Sequence, residues 1–279
     1  MKKFAVLLIA LFIMGFSNGV KADVLVLIHG YLGDPGSWEA SGAVSVLEGN
    51  GWHRAGIVST DPRGGVRLLP APYGQDKKNR VYIVSLPSNA PLGFQAQHLQ
   101  IMLAFLKKRH GEEQFILVGH SVGGVVARLA LVRGMVPNPK ALITIASPHL
   151  GTPRAAQALD LTDSPWPIEV VKEIFGGPQY NTLKSSRSLY YDISGPWPGS
   201  LLYHLNNSPH PDIRYISILR GQSYMIWGDQ VVPTMSQDMN NVPQLRGKSI
   251  VYTTGTGHSL VAADGFLLTE ILKSITSDK

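Results

Sequence analysis

Five residues near the middle of this 279-residue chain carry the strongest chemical signal: Gly119-His120-Ser121-Val122-Gly123. Before them runs Phe115–Gly119, continuously apolar as a doubly buried strand must be. After them Val122, Val125, Val126 and Leu129 repeat at helical spacing. A serine between strand and helix sits on a sharp turn with its hydroxyl projecting from the C-terminal edge of the sheet. A Cβ at either flanking glycine would crowd that turn. The new helix also aims its free N–H groups and the positive end of its dipole at the same place. A hydroxyl is a poor nucleophile until a base takes its proton. His258, in Gly255-Thr256-Gly257-His258-Ser259, follows the last strand-like run on a glycine loop, which places it at the sheet edge of Ser121. A base of this kind needs an acid to fix its tautomer and stabilise the imidazolium. Asp229, in Gly228-Asp229-Gln230-Val231-Val232-Pro233, follows the preceding strand-like run and meets that need.

The elements that position these residues read as an α/β domain. Apolar runs at Val24–Ile28, Val81–Ser85, Phe115–Gly119, Ala141–Ala146, Ile213–Leu219 and Ser249–Thr253 are six candidate strands of a mostly parallel sheet covered on both faces. Helical stripes fall between or after them: Leu99, Met102, Leu103 and Leu106; Val122 to Leu129; Leu268, Ile271, Leu272 and Ile275. Gly111 and Gly134 stop the first two, and Lys107, Lys108 and Arg109 suit the first one's last turn. The stretch from Gly51 to Arg80 shows no clear period. From Ser147 to Asp212 a 66-residue interval holds nine of the nineteen prolines, with Trp166, Ile174, Phe175 and Trp197. A gap of that length reads as a lid-like or cap-like insertion. No internal repeat and no interdomain linker is visible.

Composition narrows the chemistry. Hydrophobic residues make up 44% and charged residues 16%, enough for a sizeable core. Cysteine is absent, which removes disulfides, thiolate metal sites and a cysteine nucleophile. Lys2 and Lys3 lead into an apolar run from Phe4 to Met14, and Val20-Lys21-Ala22 offers small residues three and one before a cut. That is the pattern of a secretory signal over residues 1–22, with residues 23–279 as the mature domain. The run is too short for about 30 Å of hydrocarbon, so a secreted or periplasmic product is expected. Loss of Lys2, Lys3 and Lys21 takes the formal charge from +6 to +3, which gives no argument for nucleic acid. Oligomeric state is not legible.

From Val24 to the C-terminal helix the chain resembles an α/β-hydrolase of the serine lipase/esterase type. Three motifs join the serine turn in carrying that resemblance. His29-Gly30-Tyr31 ends the first strand, Gly228-Asp229-x-Val-Val-Pro resembles the segment holding the family's acid, and Ser147-Pro148-His149-x-Gly151-Thr152 resembles a stretch of many lipases. The chain order Ser121, Asp229, His258 is the family's. The resemblance implies an oxyanion hole made by the backbone N–H groups of Tyr31 and Val122. It implies carboxylic ester hydrolysis, with acylglycerols or other lipid-like esters as substrates and a transient contact with a lipid interface. Too few residues precede the first strand for the two N-terminal strands of the full fold. A reduced, six-stranded sheet in the order 2-1-3-4-5-6 is therefore expected.

Other residues compete for these roles. Among the nine histidines, His120 is the variable residue of the turn and reads as structural. His29 reads as ordering the oxyanion loop, while His149 precedes the acid in chain order. Among acids, Asp212 precedes its strand, Asp264 sits inside the C-terminal helix, and Asp163 and Asp192 in the insertion are the serious rivals. No cofactor is expected. A structural Ca²⁺ is implied only by some relatives, since no dense carboxylate cluster is visible and H-E-x-x-H is missing. Gly247-Lys248-Ser249 lacks the glycine at 242 that a phosphate loop needs. Two further classes share these residues: an acyltransferase or thioesterase with the same triad, and a non-catalytic binding protein on the same scaffold.

Overall fold

The computed structural model describes residues 23–61, 63–72, 78–163, 184–221 and 229–277. The expected signal segment 1–22 lies outside them, as do Trp166, Ile174 and Phe175 of the insertion. Among the described residues eight strands form one sheet: β1 (Asp23–Ile28), β2 (His53–Thr60), β3 (Val66–Pro70), β4 (Arg80–Ser85), β5 (Gln114–His120), β6 (Pro139–Ile145), β7 (Arg214–Arg220) and β8 (Ser249–Thr254). Their order is β3-β2-β4-β1-β5-β6-β7-β8, and only the β2–β3 pair is antiparallel.

The unbroken apolar run of β1 follows from its place near the sheet's centre. Val24, Val26 and Ile28 enter one hydrophobic cluster, Leu25 and Leu27 the other, and all are fully buried. On the first face lie α3 (Leu92–His110) and α4 (Val122–Val132), through Leu99, Met102, Leu103, Leu106, Val125, Val126 and Leu129. The other face is covered by α1 (Pro35–Ala40), α2 (Ala43–Gly49) and the C-terminal α9 (Ala262–Ser277), through Trp38, Val44, Leu47, Leu268, Ile271, Leu272 and Ile275. Gly111 closes α3 at φ 59°.

The expected six-stranded sheet is corrected to eight. The six strands read from the sequence do stand in the expected order, as β4-β1-β5-β6-β7-β8. The additional two come from the interval without a clear period. There β2 and β3 form a hairpin that extends the sheet beyond β4, so the edge is built after the first strand rather than before it. Its signal is hidden by a break in the two-residue alternation, because the β2–β4 register shifts between Arg54 and Gly56. Gly56 has φ 151°, and a Cβ there would lie 2.4 Å from the Leu69 carbonyl oxygen. The hairpin turn is organised by Asp61, whose Oδ1 accepts from the backbone N–H of Arg63 and Gly65 at 2.8 and 3.0 Å.

Between β6 and β7 the described residues form α5 (Pro153–Asp163), α6 (Arg187–Ile193) and α7 (Leu201–Asn207), with the short α8 (Thr234–Gln237) after β7. Leu189, Tyr190, Ile193, Leu202 and Leu205 are buried in the same cluster as α3 and α4, so α6 and α7 are part of the core. Gly56→Ala should destabilise the domain by about 2 kcal/mol, from the unfavourable backbone and the contact with Leu69. A chemical-denaturation midpoint unchanged from that of the parent protein would refute this account of the hairpin.

Candidate active site

Ser121 occupies the single position between β5 and α4, with φ 52° and ψ −129°. A non-glycine residue held there is strained, and strain of this kind persists only where the surroundings impose it. Its N–H donates to the Ile145 carbonyl at the end of β6, 2.8 Å away, and its carbonyl accepts from Gly124 N–H at 3.1 Å. Both flanking glycines are required as expected. A Cβ on Gly119 would meet Gly124 Cα at 2.4 Å, and one on Gly123 would meet the His29 carbonyl oxygen at 2.4 Å.

The three residues singled out in the sequence come together. Ser121 Oγ lies 3.0 Å from His258 Nε2, and His258 Nδ1 lies 2.6 Å from Asp229 Oδ2. A carboxylate only accepts, so Nδ1 carries the ring proton and the Nε2 lone pair faces the serine hydroxyl. The other Asp229 oxygen accepts from the N–H groups of Val231 and Val232 at 3.0 and 2.8 Å. Burial alone would raise the Asp229 pKa. The hydrogen bond and charge of His258 and the two backbone donors outweigh it and hold the group below its ordinary value. Such an arrangement can draw the proton from Ser121 and stabilise the imidazolium that results.

Tyr31 follows β1 and Val122 opens α4, and both line the space in front of Ser121. Among the described residues neither backbone N–H has a protein acceptor. The loop bearing Tyr31 is anchored by His29: Leu86 N–H donates to its Nε2 at 3.0 Å, which leaves Nδ1–H to donate to Gly30 O at 3.1 Å. Burial lowers the His29 pKa and keeps that tautomer neutral. The Tyr31 hydroxyl bonds to Tyr190 of α6 and to Ser186 Oγ, and the two tyrosine rings meet edge to face at 5.5 Å.

Two cavities open beside the Ser121–His258 pair. One of about 300 Å³ is walled by Val122, Ala155, Tyr190, Ile193 and Val231. The other, about 430 Å³, is walled by Gly33, Ser37, His120 and Ser259.

The family model described as the alpha/beta hydrolase family matches residues 25–266. This chain belongs to the alpha/beta hydrolase family. Comparison with curated protein sequences gives no match. Among solved structures the hydrolase is similar to the Bacillus licheniformis lipase BlEst2 in its mature form, at 16% identity over 93% of each chain and a TM-score of 0.60. It is also similar to the lin2722 gene product of Listeria innocua, at 20% identity over 91% of each chain and a TM-score of 0.56. A third is the metagenomic carboxyl esterase MGS0156, at 15% identity over 93% of this chain and 77% of that one, with a TM-score of 0.51. At these identities the likeness is one of fold.

The rival residues of the hydrolase sit elsewhere. Asp192 Oδ2 accepts from Leu92 N–H at the start of α3, 2.8 Å away, and Asp212 precedes β7 at the opposite end of the sheet. Asp163 ends α5, and its side chain is outside the described residues. His149 is buried with Nε2 against Thr144 Oγ1 at 3.2 Å. His120 donates from Nε2 to the His258 carbonyl at 2.8 Å, and its ring lies tilted at 48° to that of His258 with centroids 5.2 Å apart, so it braces His258 from behind. Burial pushes its pKa down to about 3. Among the described residues no three His, Cys, Asp or Glu side chains are placed to share a metal ion. No described helix is long and apolar enough to cross a membrane.

Three supports went unread in the sequence. Arg220, at the end of β7 and fully buried, donates to Asp264 Oδ2 at 2.6 Å, to Thr254 Oγ1 at 3.1 Å and to Thr256 Oγ1, so it grips the His258 loop on both sides. Asp264 in turn accepts from Val261 N–H at 2.8 Å. Gln237 holds the Asp229 loop: its Oε1 accepts from Arg220 N–H at 2.6 Å, and its Nε2 donates to the carbonyls of Arg220 and Val232 at 3.1 and 2.8 Å. A charged residue closing an otherwise apolar strand was the available signal for Arg220.

Arg220→Met should cost about 3–5 kcal/mol, because it leaves Asp264 buried without its partner. Amide exchange across 255–261 should speed up, and unchanged exchange there would show that the brace is not what holds the loop. Asp229 releases its proton more readily folded than unfolded. It therefore contributes stability above about pH 4 that is lost as the pH falls through its folded pKa. Asp229→Asn should lower stability at neutral pH and flatten the acid limb of a stability–pH curve.

Proposed function

We propose that this protein is a carboxylic ester hydrolase that works through an acyl-serine intermediate. Ser121 is the nucleophile, His258 the general base and then general acid, and Asp229 the group that orients and stabilises the imidazolium. The observation that carries this reading is the unbroken chain from Ser121 Oγ to His258 Nε2 at 3.0 Å and from His258 Nδ1 to Asp229 at 2.6 Å. Ser121 Oγ attacks the ester carbonyl as its proton passes to His258. Charge then collects on the former carbonyl oxygen, where the N–H groups of Tyr31 and Val122 receive it. One such donor is worth about 10²–10³ in rate. The carbon–oxygen bond to the alcohol breaks as His258 returns the proton to the leaving oxygen. Water, deprotonated by the same imidazole, cleaves the acyl-serine and regenerates Ser121.

A lipid-like acyl group is supported by the mostly apolar walls of the 300 Å³ cavity. The names of the similar B. licheniformis lipase and metagenomic carboxyl esterase agree with an ester substrate. Transfer of the acyl group to an added alcohol uses the same residues and differs only in the acceptor. The leader pattern over residues 1–22 supports export to the periplasm or the medium.

A fluorophosphonate probe should label the wild-type protein at Ser121 and leave Ser121→Ala unmodified. That variant should lose about 10⁴-fold or more in kcat on an aryl octanoate while its circular dichroism is retained. Asp229→Asn should lose about 10⁴-fold. Undiminished ester cleavage by Ser121→Ala would falsify the mechanism.

A further inference from the structure

The two cavities beside Ser121 and His258 differ in chemistry in a way that specifies both halves of the ester. In the first the hydroxyls are already engaged. Tyr31 bonds to Tyr190 and Ser186, and Thr152 Oγ1 donates to the Val231 carbonyl. Arg154, also in this lining, donates to the Gln230 carbonyl at 2.9 Å and to Gln157 Oε1 at 3.3 Å. With those groups engaged, Val122, Ala155, Ile193 and Val231 present hydrocarbon. The second cavity is bounded by the turn after β1, the start of α1 and the base loop, and several of its polar groups have capacity left. Ser37 Oγ accepts from Asp34 N–H at 3.2 Å and keeps its own proton available. The Ser259 hydroxyl has no protein partner among the described residues. His120 donates through Nε2 to the His258 carbonyl, so its Nδ1 remains an acceptor.

We propose that the ester straddles Ser121 with an apolar acyl chain in the first cavity and a small polyhydroxylated alcohol in the second. This rests on the reading of Ser121 as the nucleophile. The first cavity, about 300 Å³, has room for an alkyl chain. The leaving oxygen must meet His258 Nε2; His258 lines both cavities, and only the second sets Ser37, Ser259 and His120 beside it. An alkyl alcohol there would cover Ser37, Ser259 and His120 without pairing them, whereas the hydroxyls of a glycerol-sized alcohol would pair them. A diacylglycerol leaving group would bring two apolar chains against Ser37, Ser259 and His120, although Leu32, Ala40 and Leu260 also line this cavity. The assignment also serves deacylation: once the alcohol departs, water can reach the same Nε2 through a cavity that hydrogen-bonds it.

The test compares 1-octanoylglycerol with propyl octanoate, which lacks only the two free hydroxyls, and with trioctanoylglycerol in the same detergent dispersion. The expected kcat/KM for 1-octanoylglycerol exceeds both by about tenfold or more. Ser259→Leu should shrink that preference severalfold. Val231→Trp should lower activity on octanoyl relative to acetyl esters and leave the alcohol preference in place. If the probe labels Ser121 but propyl octanoate or trioctanoylglycerol is cut as well as 1-octanoylglycerol, or none is cut, the cavity assignment is wrong and the nucleophile stands. An alcohol preference that follows Val231→Trp would reverse the two cavities. Absence of both labelling and ester cleavage overturns the hydrolase mechanism itself, and the assignment with it.

Discussion

The turn at Ser121 exists only because the backbones around it approach more closely than side chains would allow. A Cβ on Gly30 would lie 2.8 Å from Ser121 Cβ, and one on Gly124 would lie 2.1 Å from Ser147 Oγ. With Gly119 and Gly123, these positions let the ends of β1, β5 and β6 and the first turn of α4 share one small volume. The serine's φ of 52° costs about 1–3 kcal/mol. Burial of α4 between the sheet and α3 offsets that cost, since Val125, Val126, Ala127 and Ala130 have no exposed surface. Relaxing the turn would withdraw that helix from the core, so the strain is locked in by packing.

Under the proposed mechanism a fixed serine needs His258 and Asp229 equally fixed, yet both stand on loops, the least stable parts of a fold. Buried polar side chains answer this from below. Gln237 pairs with the backbone of Arg220 as a neighbouring strand residue would, and with Val232 beyond the acid. The Arg220 guanidinium then spans from Thr254 to Asp264, either side of His258. A buried ion pair contributes little net stability, but breaking one is costly. Its value here is therefore positional: the loop cannot shift without stranding a charge.

The chemistry was legible in the sequence because its marks are local. Gly119 to Gly123 declare their turn within five residues, and a strand buried on both faces has to be an unbroken apolar run, as β1, β4, β5 and β6 are. The order of those strands came from the resemblance to α/β-hydrolases, not from the runs themselves. The β2–β3 hairpin was illegible for the opposite reason: Gly56 breaks its alternation, and its outer strand, exposed at the sheet's rim, has no need of an apolar run. The grip of Arg220 on Asp264 joins positions 44 residues apart, and nothing in either neighbourhood announces the other. His120 reads as structural from its place in the turn, and its contact with the His258 carbonyl depends on a loop path that periodicity does not encode.

Tyr31 links the remaining parts of the site. It walls both cavities, and its hydroxyl is bonded into α6 through Tyr190 and Ser186. The position of α6 thereby sets the position of the loop on which the proposed oxyanion hole depends. That helix is pinned to the sheet side by independent bonds, from Leu92 N–H to Asp192, from Asn89 to Ser185 and from Thr152 N–H to the Ile193 carbonyl. Moving it would break these bonds together with the Tyr31 contact and would expose Leu189 and Ile193 as well. The segment from Ser185 to Ile193 is thus a wall of the site whose displacement would open the apolar cavity and loosen the Tyr31 loop in a single event.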